Sequence, residues 1–383
     1  MSNTPRLTPG DYIRKELEDR GWMQRDLAFM LGVPEQAINY LVSGKRGISA
    51  DMARLLSVAF GNPPEFFLKL QKEHEISHEL LHAKEPNPGV VRMVKLQSSY
   101  PLREMIKRGW IDPDPATVET QLAHFFGVAS AEDVPHMAHA ARKTNYDDIP
   151  PPVQLAWLYR VRQVASEMVV PQYSEKKLRE TIPKLSALMI EPEEARHVSR
   201  MLLECGIRFV LVESLPSAKI DGVCCWIKNG ASPIIGLSMR FDRIDNFWFV
   251  LRHELEHVLR RDGLVAAVID DLDGENANSA GVALSEAELA ANAAASDFCV
   301  SKTEMDSWIA RKHPYYSERD LLGFAKRIGI HPGIVAGQLR SRTNNYKIFG
   351  KYLAKIRFAV ESTALTDGWG QVAPVLNQRE GVR

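Results

Sequence analysis

A chain of 383 residues, 45% hydrophobic and 25% charged, can bury two or three cores and has the composition of an ordinary soluble protein. Its 48 Lys plus Arg balance 48 Asp plus Glu, so no global charge announces nucleic acid or a membrane, and any such contact needs a local patch. Four cysteines (Cys205, Cys224, Cys225, Cys299) make neither a disulfide framework nor a C-x-x-C pair. With no signal-like N-terminus and no apolar run of about 18 residues, the expectation is a cytoplasmic protein without a membrane partner.

Residues 8–72 carry the spacing of five short helices. Thr8-Pro9 can cap the first, and Tyr12, Ile13, Leu17 and Trp22 are its apolar positions. Gln24–Leu31, the turn Gly32-Val33-Pro34 and Glu35–Val42 then follow. Ala28, Gly32, Val33, Ile38 and Leu41 give a helix-turn-helix what it needs: a small residue at the crossing, a glycine in the turn, and apolar anchors behind the second helix. Glu35, Gln36, Asn39 and Tyr40 are left facing outward to read bases. Gln24, Lys45 and Arg46 are candidate phosphate contacts, which fix register without reading sequence. Residues 1–75 hold ten basic and ten acidic side chains, so counterion release gives modest affinity per subunit, and a homodimer on a two-part operator is the remedy. A bundle used only for protein contacts is the alternative. Leu7–Arg14, Gly44–Ser49 and Ala59–Gly61 through Gln71 resemble HigA-type antitoxins and related Xre-like repressors, which implies double-stranded DNA as partner.

The charged segment after this domain contains His78-Glu79-Leu80-Leu81-His82, an H-E-x-x-H match with His74 one turn before it. No strand precedes it and no third-ligand helix follows, so it reads as a solvated helix running into a linker at Pro86-Asn87-Pro88-Gly89. From Leu102 to Cys205 the pattern is helical, punctuated by prolines, with Trp157 and Tyr159 as core residues; His124, His136 and His139 share no metal spacing. Residues 206–213 then change to the period of a buried strand. Residues 223–228 and 234–238, joined through Asn229-Gly230, read as a hairpin. As an edge strand, 234–238 could hold an extended peptide, which makes Leu237 and Ser238 candidates for backbone pairing with one.

Directly after the hairpin comes a helix, Asp245–Arg260, with Asp245 or Asn246 as its N-cap and Phe247, Val250, Leu251, Leu255, Val258 and Leu259 as its apolar surface. It contains His253-Glu254-Leu255-Glu256-His257. At i and i+4 the two imidazoles share a face and can reach one zinc ion, and Glu254 falls beside that face as a proton acceptor rather than a ligand. The acidic stretch 270–278 lacks the calcium-loop pattern and reads as a solvated loop. In the Ala-rich helix of 285–298, Glu288 is the candidate third ligand, with Asn292 one turn on to orient a ligand. Ser285-x-x-Glu288 is equally a capping box, and position alone leaves the two readings open. Residues 304–358 are helical again, 324–335 repeats the helix-turn-helix spacing but is expected to pack on the core, His331 is structural or at a rim, and 359–383 looks frayed.

Asp242–His257 followed by Glu288-x-x-Ala291-Asn292, together with Ile330–Val335, resembles the ImmA/IrrE metallopeptidases. The resemblance implies Glu288 as the third ligand and cleavage of a protein, typically a partner repressor. Two departures stand out: Glu256 where this family has glycine, and Ala294 where an aromatic is common. The expected fold is mainly α with a small β-sheet (α+β): a helix-turn-helix bundle (1–75), a linker (76–100), a helical connector (101–204), a zincin-like domain (205–345), and a C-terminal helix and tail (346–383). The expected function is a DNA-binding regulator fused to a zinc endopeptidase that cuts itself, a partner repressor or a toxin. The alternative is a repressor whose metallopeptidase fold is a sensor or partner-binding module without turnover; a small-molecule metallohydrolase is a third reading.

Overall fold

Apolar spacing and caps together set the N-terminal helices. In a computed structural model, which describes residues 8–82, 88–131, 133, 151–264, 267–270 and 285–375, α1 (Pro9–Arg20), α2 (Gln24–Leu31), α3 (Glu35–Val42), α4 (Ala50–Phe60) and α5 (Pro64–His82) follow one another. Thr8 caps α1 in a capping box with Asp11, and Pro9 opens the helix, where a missing N–H costs nothing. Gly32 ends α2 at φ 66°, a left-handed conformation that glycine adopts without strain, and so permits the tight turn into α3. Ile13, Leu27, Ile38, Leu41, Leu56 and Phe67 fill a core of their own.

The chain divides into two compact units, Met1–Val91 and Arg92–Arg383. Residues 76–100, expected to be linker, carry the end of α5 and the whole of α6 (Pro88–Ser99). The central residues 83–87 lie outside the described residues, as do 271–284, which contain most of the acidic stretch, and His136 and His139.

In the larger unit a five-stranded sheet has the order β4-β2-β3-β1-β5, from β1 (Arg208–Val212), β2 (Gly222–Ile227), β3 (Ser232–Leu237), β4 (Val268–Asp270) and β5 (Leu365–Asp367). β2 pairs antiparallel with β3 and β4, whereas β1 runs parallel to β3 and β5. Alternate residues serve opposite faces. Val210, Val212, Val223 and Ile234 meet α9 (Pro152–Ser166) through Trp157, Leu158 and Val161. Phe209, Leu211, Cys224 and Ile235 meet α12 (Ile244–Arg260) through Phe247, Leu251 and Leu255. The helices of 101–204, which are α7 (Leu102–Lys107), α8 (Val118–Phe126), α9, α10 (Glu175–Ser186) and α11 (Val198–Glu204), are thus more than a connector, since α9 is one layer of the sheet domain.

The C-terminal region departs from the frayed tail that was expected. Residues 365–367 are the edge strand β5, and Asp367 is buried against Arg160 of α9. Arg160 Nη2 and Nε donate to the two carboxylate oxygens at 2.7 and 3.1 Å, and Trp110 Nε1 and the Ala373 N–H donate at 2.7 Å each. Four donors around one buried carboxylate compensate its loss of water, which fastens the tail to the connector. Among the described residues no helix is long and apolar enough to cross a membrane.

Candidate metal centre and nucleic-acid face

α12 starts ahead of both expected caps, Asp245 and Asn246. Arg243 is its N-cap, and Asp245, expected as the cap, lies inside the first turn with its carboxylate held by the Arg243 guanidinium. The helix is amphipathic in an uncommon way, because its inner face carries His253, Glu254 and His257, each 0% exposed, among apolar neighbours. Burying such groups is costly unless something compensates them.

The compensating partner comes from α13 (Glu286–Cys299), which packs along α12. Ser285 caps α13 by accepting the Glu288 N–H at 3.2 Å, so half of the capping box forms. The Glu288 side chain turns inward instead of closing on backbone: Oε2 lies 3.4 Å from His253 Nε2, and Oε1 lies 3.6 Å from His257 Nε2. The two Nε2 atoms are 3.0 Å apart. Three donors on a tetrahedral ion with bonds of about 2.0–2.1 Å stand roughly 3.3 Å from one another, and the observed separations bracket that value. Among the described residues the buried Glu288 Oε1 has no hydrogen-bond donor, as an oxygen kept for a cation would not. His253, His257 and Glu288 can thus hold one divalent ion with nitrogen and oxygen donors.

Two residues that the sequence reading passed over shape this site. Asp262, two residues past the end of α12, places Oδ2 3.0 Å from His257 Nδ1. A carboxylate there keeps the proton on Nδ1 and directs the Nε2 lone pair at the centre. Asn292, expected to do the orienting, is half-buried one turn after Glu288 and has no hydrogen bond to the three ligands among the described residues. The chain reversal at Arg261 (φ 59°), with the Asp262 N–H bonding back to His257 O at 2.8 Å, brings that carboxylate under its histidine. The second residue is Gly222, the first of β2. A Cβ there would lie 2.1 Å from Glu254 Oε1, so the absent side chain is the space in which the Glu254 carboxylate sits.

Glu256, which departs from the metallopeptidase pattern, is paired with Arg252 at 2.8 Å, one turn back on the same helix, and its charge is thereby neutralised. Leu237 and Ser238 cannot pair with a peptide as expected. β3 lies inside the sheet, with Leu237 in register with Gly222 on one side and Leu211 on the other. The Ser238 N–H bonds to Asp221 O and its hydroxyl to Ile220 O, so their backbone positions are already used within the chain. His331 caps α16 (Pro332–Thr343; preceded by α14, Lys302–Lys312, and α15, Glu318–Ile328) by accepting the Gly333 N–H at 3.0 Å. Burial holds its imidazole below the ordinary range, and Phe324, Val335 and their neighbours pack into the main core. Burial likewise pushes the Cys225 thiol up to about 12 and raises that of Cys299, so neither is a nucleophile.

In the smaller unit, Glu35, Gln36, Asn39 and Tyr40 are all exposed on α3, opposite the buried Ile38 and Leu41. Gln36 Nε2 donates to the Tyr40 hydroxyl at 2.8 Å. Lys45 and Arg46 are exposed just beyond the helix, with the Arg46 N–H on Tyr40 O, and Gln24 is half-exposed at the start of α2. The sequence-derived candidates are thus open to solvent, fully or in part, on α2, α3 and the loop after it.

Residues 13–67 match the helix-turn-helix family. The chain is 42% identical over 78 residues to Virulence-associated protein A' of Dichelobacter nodosus, covering 20% of this chain and 66% of that protein. It is 34% identical over 71 residues to the uncharacterized HTH-type transcriptional regulator YddM of Escherichia coli, covering 18% of this chain and 73% of that one. Among solved structures, an addiction module antidote protein of the HigA family from Coxiella burnetii shares 31% identity, with 22% of this chain and 99% of that chain covered and a TM-score of 0.21. Through this N-terminal domain, the chain belongs to the helix-turn-helix family.

Proposed function

We propose that the protein is a DNA-binding regulator of the antitoxin and repressor kind whose larger unit is a zinc-dependent endopeptidase. The convergence of His253, His257 and Glu288, with ligand atoms within 4.8 Å of one another, carries the second half of this reading. The first half is supported by the exposed polar face of α3 and by the helix-turn-helix match of residues 13–67. It is also supported by a relative whose name places it among HTH-type transcriptional regulators.

His253, His257 and Glu288 would hold the ion, and zinc bound by two histidines and a glutamate supplies an acidified water and polarises a peptide carbonyl. Glu254, seated against Gly222 beside the two histidines, accepts a proton on its carboxylate and passes it to the departing amine. Asp262 keeps His257 in the tautomer that binds through Nε2. Among the described residues β4 is the end strand of the sheet, with Gly222 paired to Asp270, so its outer side is the edge on which an extended peptide would add near Glu254. The fusion suggests cleavage within the chain or its dimer mate, around residues 83–99, which would separate DNA binding from the rest.

The test is metal analysis and proteolysis with Glu254→Gln beside wild type. Zinc and DNA binding should persist in the variant, while fragment formation falls by on the order of 10²–10⁴-fold. Wild-type protein that holds no stoichiometric zinc would overturn the metal reading. Zinc without cleavage under any condition would leave a regulator whose metal site serves as a sensor or partner-binding module.

A further inference from the structure

The strands β3, β1 and β5 lie side by side and point the same way. The loops leaving their carboxyl ends meet around a cavity of about 310 Å³, lined by Glu213, Ser214, Ser217, Lys219, Arg240 and Trp369 among others. A crevice past the carboxyl ends of parallel strands is a common ligand site, because the chain diverges there and leaves room between loops.

The charges around this cavity do not cancel. Glu213 is bound by the Arg108 guanidinium and accepts the Trp369 N–H at 2.6 Å. Arg240 grips the buried Asp221 at 2.9 and 3.2 Å. Those two pairs neutralise each other's charge, whereas Lys219 has no ion-pair partner among the described residues. Among the described residues the rim therefore carries one positive charge without a counter-ion, and the Ser217 hydroxyl also lines the cavity, while the Ser214 hydroxyl donates to Leu215 O at 3.2 Å. Trp369 supplies a flat wall, held by the Arg357 guanidinium 4.7 Å from its ring centre. Four lining residues, Ser217, Lys219, Met239 and Trp369, adopt left-handed φ values of 66°, 49°, 51° and 48°. Side-chain-bearing residues rarely hold that conformation, and its clustering around one cavity is a feature of ligand sites.

We propose that this cavity binds a small organic anion bearing a planar group, with Lys219 and the Ser217 hydroxyl on the anion and Trp369 on the plane. The site does not depend on the metal reading. It adjoins that centre all the same, since Arg240 holds Asp221, the residue before Gly222, against which Glu254 rests.

The test titrates the full chain with phenyl phosphate, benzoate and phenol at fixed ionic strength, following tryptophan fluorescence and the thermal midpoint. A saturable response to one or both anions and none to phenol is expected, and the better anion identifies phosphate or carboxylate as the recognised group. Lys219→Ala should weaken that binding by on the order of tenfold or more, the loss of one charge-assisted contact. Lys228→Ala, an exposed lysine on the hairpin turn, should leave it unchanged. A response that never saturates, an equal response to phenol, or equal weakening in both lysine variants would overturn the proposal.

Discussion

On α3, Glu35, Gln36, Asn39 and Tyr40 stand in solvent, whereas on α12 His253, Glu254 and His257 have no exposed surface. The first set stays hydrated when the chain folds, so its presence costs little and its position says only where a partner can reach. The second set is desolvated, and without a compensating cation or hydrogen bond it would destabilise the core. Buried polar groups are therefore the more telling of the two: Glu288 and Asp262 converge on the histidines from outside α12. The same logic marks Asp367, which four donors surround at the far side of the sheet.

Substitutions can break this contrast, and the largest effect should come from the buried ion pair. Asp367→Asn leaves Arg160 charged without its counterion and should lower unfolding free energy by about 3–5 kcal/mol, read by chemical denaturation. A loss under about 1 kcal/mol would mean that the tail is not part of the folding unit. Gly222→Ala comes next. The new methyl takes the place of Glu254 Oε1, the end of a flexible side chain, so the carboxylate yields while the fold gives little. Proteolysis should drop by roughly a hundredfold, the scale expected for a catalytic group displaced by about 1 Å, with zinc content retained. Asp262→Ala should reduce zinc affinity by about 10–100-fold in chelator competition, since His257 loses the group that orients it. Asn292→Ala, on the same reasoning, should change it little.

The smallest effect on the fold should come from the exposed face. Arg46→Ala should leave stability within about 0.5 kcal/mol of wild type. It should also reduce the salt dependence of operator binding by about one phosphate contact. An Arg46→Ala protein with an unchanged salt slope would remove that side chain from the interface, and one that unfolds would erase the contrast between the two helices.

Much of this was legible in the residues. The helix-turn-helix could be read because its signals are local: Gly32 in the turn, apolar anchors at 28, 33, 38 and 41, and Thr8 as a cap are all set within a few residues of one another. The hairpin of β2 and β3 was readable for the same reason, through Asn229-Gly230. Of the two H-E-x-x-H matches, the one at 78–82 belongs to a helix that runs on from the N-terminal bundle, whereas the one at 253–257 lies on the helix that covers the sheet. The motif is identical in both, so the neighbouring strands and the later glutamate had to separate them.

What the sequence determined by itself was the helix-turn-helix, the β2–β3 hairpin and the helix that carries His253 and His257, with the side chains that share a face in each, because helical and strand periods are properties of the local backbone. The tertiary structure alone decided that β3 is interior and closed to a peptide, that Glu288 turns to the histidines rather than to its own cap, and that residues 365–367 complete the sheet. Each of these depends on groups far apart along the chain competing for the same buried hydrogen-bonding positions, and that competition is settled only when the layers pack.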